Sequence, residues 1–465
     1  MTDATYANLS TLKGELKRAA IDAYMVSQGW KLYDAGATHY WDGDDGDDPG
    51  ESISRPGENG EGGGDWAANK IKEFFVGDSR DEEWSAAFGK VRQRIDEYLK
   101  PWEDLPDPAL FDNYVEDLRK ATVKLAVATS TSGGVASGAG RMGAQLKIID
   151  ENSSAMSGGT ISAFKSKFMM ELGKAIGGHH GLTVILGQAM TAEQNLLKGA
   201  REDVAQAVAN ATKSLEAYAL GGSSSFSFAL KVAGAVVAGV AVFATGGTGA
   251  VVALAGAGAG LTLLTTLAEQ SEKNATEPKA KDYEGLMNGF KTALDDINKA
   301  IKNEEGGVRD NLKDNLGRVQ TDEASYNLTN PLQNISDDSQ LHDDAKGRAI
   351  IHNKSLVFEI TDTAMPTIAD ELVAAKELVW AGWSATPYYR DASIGLADTG
   401  PYTHWADLAG PLWRLIGDLE WEVRNGATSL KLAIEDMGQT DTDAKDALEK
   451  HAETLKDYTN YEVPK

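Results

Sequence analysis

The chain of 465 residues contains no cysteine, so neither a disulfide framework nor thiolate chemistry is open to it. Histidine is scarce: His39, His179, His180, His342, His352, His404 and His451 make up the whole supply, and none has the HExxH spacing of a zinc helix. Only His342-Asp343-Asp344 with His352 gathers potential ligands, and its polar surroundings read as solvated charge. A GxSxG elbow, a P-loop and a dinucleotide fingerprint are all missing, and the glycines at 133–134 and 138–143 follow no strand pattern. No enzyme, no bound metal and no cofactor are therefore expected. Basic residues are outnumbered, 45 Lys and Arg against 70 Asp and Glu, for a formal charge of −25. Such a surface repels phosphates, and no Lys/Arg cluster opposes it, which excludes nucleic acid as an expected partner. Met1-Thr2-Asp3-Ala4 opens without a basic stretch and apolar core, so a cleavable secretory signal is expected to be absent. Strand-like alternation of useful length is also lacking, which leaves an all-α chain.

Helical spacing is what the sequence has in abundance. Leu9, Leu12, Leu16, Ala20, Ile21, Tyr24 and Met25 share one helix face, and Ser79 with Glu82 forms a capping box ahead of Trp84, Phe88, Val91, Ile95 and Leu99. Between them, 42–65 holds nine carboxylates and one Arg55 among many glycines, the composition of a solvated, mobile loop. Its acidic spacing fails the calcium-loop pattern, because Gly46 and Asp47 occupy the fifth and sixth positions from Asp42. Leu105-Pro106-Asp107-Pro108 marks a boundary. A long helix is expected over 160–220 with a kink at Gly177–Gly181, and another over 283–319 interrupted at Gly306-Gly307. A polar linker follows at 327–344. Helix 368–380, a connection over 384–401 and a long helix over 402–458 complete the chain, with Ile416, Val423, Leu430, Met437 and Ala444 stepping by seven. The stretch 317–324 echoes 438–444, as duplicated helical hairpins would. Trp405, Trp413 and Trp421 drift around their helix, so some should reach a surface and serve a partner.

The expected architecture is an elongated bundle of long antiparallel helices in three regions. These are 1–105 with the acidic loop, 106–330 with a central apolar hairpin, and a Trp-rich hairpin over 331–465. The apolar hairpin is the uncharged run from Val232 to Ala268, broken by Gly246, Gly247 and Gly249. As helix, its arms 229–244 and 250–267 would each be roughly 25 Å long, against a bilayer core of about 30 Å. Its apolar character comes from Ala and Gly, so it inserts in lipid only conditionally. Gly234, Ala238, Gly256 and Gly260 allow close helix approach, and Val237, Gly239 and Val252 are further positions of the hairpin.

Two segments carry a family resemblance. Ala155-Met156-Ser157-Gly158, followed by Phe164 and Phe168, resembles the WXG100 pattern of a Trp-x-Gly turn between two helices, with Met156 in place of Trp. Trp380-Ala381-Gly382 is a literal Trp-x-Gly, after a helix shorter than that family uses and ahead of the 384–401 insertion. Tyr458-Thr459-Asn460-Tyr461-Glu462 is similar to the family's Tyr-x-x-x-Asp/Glu export signal, and Tyr40 to Asp44 also fits it. The resemblance implies a non-catalytic helical protein exported by type VII (ESX) secretion to the cell surface or beyond, with Met156, Gly158, Trp380 and Gly382 as scaffold positions. Tyr458 and Glu462 would be export-signal positions. Protein partners or self-association, and membrane contact, are the expected interactions. The order long helix, apolar hairpin, long helix also resembles the ClyA and haemolysin BL type of pore-forming toxin, in which a concealed hairpin is released into a target membrane.

Overall fold

A computed structural model describes residues 2–42, 52–64, 66–67, 79–127, 141–222, 230–232, 282–328, 353–435 and 450. Within them the chain forms α1 (Leu9–Ser27), β1 (His39–Trp41), β2 (Ser52–Ser54), β3 (Trp66–Ala67), α2 (Ser79–Leu99), α3 (Asp112–Leu125), α4 (Arg141–Ser154) and α5 (Gly159–Ala163). A π-helical turn, Phe164–Met169, leads from α5 into α6 (Met170–Ala219). Then come α7 (Tyr283–Thr321), α8 (Lys354–Glu359), a second π-helical turn at Ile360–Ala364, α9 (Met365–Ala381) and α10 (Tyr402–Glu435). The fold is an all-α bundle.

At 50 residues α6 is about 75 Å long, and it is the axis of the molecule. Every residue from Gly178 to Glu193 is buried, so this stretch is covered on all faces. Contacts along it fix the directions of its neighbours. Trp405 of α10 reaches Leu186, and Gly426 lies against Phe168, so α10 runs antiparallel to α6. Asp112 of α3 meets Gln194, and Asp107 just before α3 meets Arg201, again antiparallel. By contrast α1 runs parallel: the Arg201 guanidinium lies over Tyr6 just ahead of α1, and Glu216 near the end of α6 senses Asp22 near the end of α1. Along α9 and α10, Lys376 meets Trp413 and Asp370 meets Arg424, which makes them an antiparallel pair. Buried apolar side chains from Leu9 to Ile434 join in one cluster.

Helix runs through both glycine-rich stretches, the one expected to kink and the one expected to interrupt it. Gly177–Gly181 lies within α6 and Gly306-Gly307 within α7, because packing supplies what helix propensity lacks there. At Gly178 the missing side chain has a use: a Cβ there would stand 2.7 Å from the Tyr326 ring. On the C-terminal side, helix reaches Trp380 continuously from Lys354, well longer than the expected 368–380.

The acidic, glycine-rich stretch also departs from expectation, since part of it is structured. β1, β2 and β3 form a small antiparallel sheet, with Tyr40 opposite Ile53 and Ile53 opposite Trp66. Strands of two or three residues leave no periodic signature in a sequence. The sheet is fastened to α1 by Asp22, which accepts from the Tyr40 hydroxyl at 2.5 Å, Arg55 Nε at 2.8 Å and Arg55 Nη2 at 2.5 Å. Arg55 Nη1 also donates to the carbonyls of Ala35 and Ala37, so the one cation of the stretch ties β2 to the segment that leads into β1.

Candidate functional site: the aromatic end of the bundle and its buried carboxylates

The turn at Met156–Gly158 joins α4 to α5. Met156 is buried, and Gly158 has φ of +132°, a conformation that a side chain would strain. Lys165 donates to Ser154 across the turn, and Phe164 and Phe168 stack with centroids 5.3 Å apart. Trp380-Ala381-Gly382 has different geometry. Gly382 is right-handed at φ −71°, and its lack of a side chain admits Leu118 of α3. Trp380 does not plug a helical hairpin; it is 48 % exposed. Gly234, Val237, Gly239, Gly246, Gly247, Gly249, Val252, Gly256, Gly260, Tyr458 and Glu462 lie outside the described residues, as does the group around His342. Among the described residues no helix is long and apolar enough to cross a membrane, and no three His, Asp or Glu converge as a metal site would require.

Trp380 belongs to a continuous run of rings. It stands 5.4 Å from Trp383 and 5.9 Å from Trp413, and the Lys376 ammonium lies 4.0 Å above the Trp413 ring. Loss of hydration lowers the Lys376 pKa, and the ring face, which favours the charged ammonium, opposes that shift. Inward, Tyr402 stacks with Trp405 at 6.2 Å and meets Tyr388 at 5.2 Å, and Tyr388 meets Phe111 at 4.9 Å. The buried Trp405 indole donates to the Leu186 carbonyl of α6. One end of this run is therefore wet and the other locked into the axial helix.

Over the buried end lies the connection 384–401, held by a cluster that sequence reading did not find. Its Arg390 enters between α6 and α7, donating through Nη1 to Glu193 at 2.6 Å and through Nη2 to Glu305. All three side chains are almost completely buried. The second Glu305 oxygen accepts from Leu396 N at 2.7 Å, whereas Glu193 Oε2 has no hydrogen-bond partner. One guanidinium faces two carboxyl groups, so charge balance requires only one of them to be ionised. Burial, reinforced by Glu193, pushes the Glu305 pKa up to about 8. Asn298 of α7 completes the seat, donating to Ser393 O and accepting from Gly395 N.

Two other buried carboxyl groups hold main chain in the same way. Asp203 of α6 accepts from Lys231 N at 2.8 Å and Val232 N at 2.8 Å, and burial raises its pKa to about 6. One turn earlier Gly199 leaves room for the Val232 backbone, since a Cβ there would lie 3.2 Å from Val232 Cα. Glu422 of α10 accepts from Leu328 N at 2.9 Å, and burial raises its pKa to about 8. A groove of about 540 Å³ between α1 and α2 is lined by charges such as Lys13, Asp96 and Glu103 that already pair with one another. Comparison of the chain with protein-family models, curated proteins and solved structures finds no match.

Proposed function

We propose that this protein is an exported, non-catalytic helical scaffold of the kind the WXG100 resemblance implies, acting outside the cytoplasm as a structural or partner-binding component. The observation that supports this reading is the Met156–Gly158 turn, with its buried apolar plug, glycine-only backbone and stacked phenylalanines at the start of the following helix. The half-exposed tryptophan cluster around Trp380 is its candidate contact surface for a protein partner. Deletion of residues 457–465, expressed in a host with type VII secretion, should abolish appearance of the protein in the medium while leaving its cellular level intact. Unchanged export would refute the signal assignment.

A second reading, a pore-forming component, is favoured by one feature. The chain returns to α6 at Lys231 and Val232, on the Gly199 and Asp203 notch, immediately before the uncharged run that ends at Ala268. Leakage of dye from liposomes, lost on replacing Val237 and Val252 with Asp, would support it. No leakage from the wild-type protein would leave the scaffold alone.

A further inference from the structure

We infer that the segment 384–401 is a hinged cover over the aromatic end of the bundle, held shut by insertion of Arg390 between Glu193 and Glu305, and released when this cluster loses a proton. Three observations place the hold at the cluster. The segment is mostly irregular, and it is fastened by its buried anchors Pro387, Tyr388, Arg390, Ile394 and Pro401 together with the hydrogen bonds of Ser393 and Gly395 to Asn298 and of Leu396 to Glu305. Backbone crowds the cluster from both sides: Gly395 and Gly400 have φ of +67° and +51°, and a Cβ on either would lie within 2.9 Å of Arg390 Nη2. Beneath the segment run the buried Phe111 and Trp405 and the half-buried Tyr402, and Tyr388 of the segment packs against Phe111 and Tyr402.

The direction of the response follows from the groups around Glu305. Glu193 faces it from α6, Arg390 and the Leu396 amide face it from the cover, and Tyr388 of the cover faces Glu193. With Glu305 protonated the cluster is electrically balanced. Once it is ionised, two carboxylates share one guanidinium out of reach of water. An open cover lets Glu305 hydrate, so the closed form binds the proton more tightly than the open one. Closure is therefore favoured below the raised pKa of about 8 and weakened above it. Opening would bare an aromatic strip continuous with the exposed Trp380 cluster.

Hydrogen exchange of the full-length protein, corrected for the chemical rate at each pH, tests this directly. Between about pH 7 and 9, protection of the amides of 390–400 should fall about tenfold beyond that correction, while the centre of α6 keeps its protection. Glu305→Gln should flatten the step, and Glu422→Gln should leave it in place. An equal fall in Glu305→Gln, or a fall shared by the whole bundle, would overturn the inference. Should Glu305→Gln not fold, infrared titration in the Glu422→Gln background decides. A protonated-carboxyl band that vanishes in step with the loss of protection supports the hold, and a band unchanged across that range removes it.

Discussion

At the residue scale, glycines of the same chain have opposite consequences. Gly395 and Gly400 are left-handed and stand against a buried charge cluster, so Gly395→Ala combines backbone strain with a clash and should cost on the order of 2–4 kcal/mol. Gly306 and Gly317 lie inside α7 with nothing near the position of a new Cβ, and Gly317→Ala should stabilise by about 0.5–1 kcal/mol. Urea unfolding of the two variants under one buffer checks both signs. These contrasts are invisible in the sequence, where each position is simply Gly. The same holds for the cluster itself: Glu193, Glu305 and Arg390 are separated by 85 residues or more, and each taken alone reads as a solvated surface charge. Only the fold reveals that a side chain at Gly395 or Gly400 would meet Arg390 and Glu305 as well as a left-handed backbone.

At the element scale, most of the bundle was legible. The capping box at Ser79 marks the first residue of α2, and the apolar spacing of Leu12, Leu16, Phe88 and Ile95 identifies side chains that are buried. The pair Gly306-Gly307 misled, because the buried Ile301, Glu305, Val308 and Leu312 on the packed face of α7 carry the helix through it. The short sheet escaped because its stability comes from Asp22 and Arg55, not from a repeating pattern. The candidate clamps escaped for a related reason: a carboxylate that binds backbone amides leaves no motif. Asp203→Ala would leave the Lys231 and Val232 amides without their acceptor, one of them buried, and should cost about 1–3 kcal/mol. It should also speed tryptic cleavage after Lys231 in the folded protein, whereas Asp203→Asn, which keeps an acceptor oxygen, should restore part of the resistance. Limited proteolysis followed by mass spectrometry separates the two. Cleavage at the wild-type rate in Asp203→Ala would show that the notch does not hold the strap.

At the scale of the whole molecule, the buried carboxyl groups and the buried histidines set opposing limits on stability. Glu305 and Glu422 have folded pKa values raised to about 8, so below that pH the folded state binds protons that the unfolded chain does not, and stability falls as pH rises through about 8. Each such group contributes at most about 1.4 kcal/mol per pH unit over the interval between its two pKa values. Asp203 and Asp418, both raised to about 6 by burial, add the same tendency at lower pH. His179 and His180 act the other way: burial lowers both to about 4, so on acidification through the ordinary histidine range the unfolded chain takes up protons first. His179 Nε2 also donates to the Tyr326 carbonyl, beside the stretch of chain that Glu422 holds through Leu328, so the two opposing groups act on one connection. Stability measured by urea unfolding should therefore climb as pH is lowered from about 8.5 to 6.5, then climb more slowly from about 6.5 to 4.5 as the histidines offset part of the gain. Glu422→Gln should flatten the upper limb without moving the onset of the lower one. A curve that instead rises from about pH 6.5 to 8.5 would mean that these carboxyl groups are hydrated in solution, and the closed arrangement of the connections would fall with them.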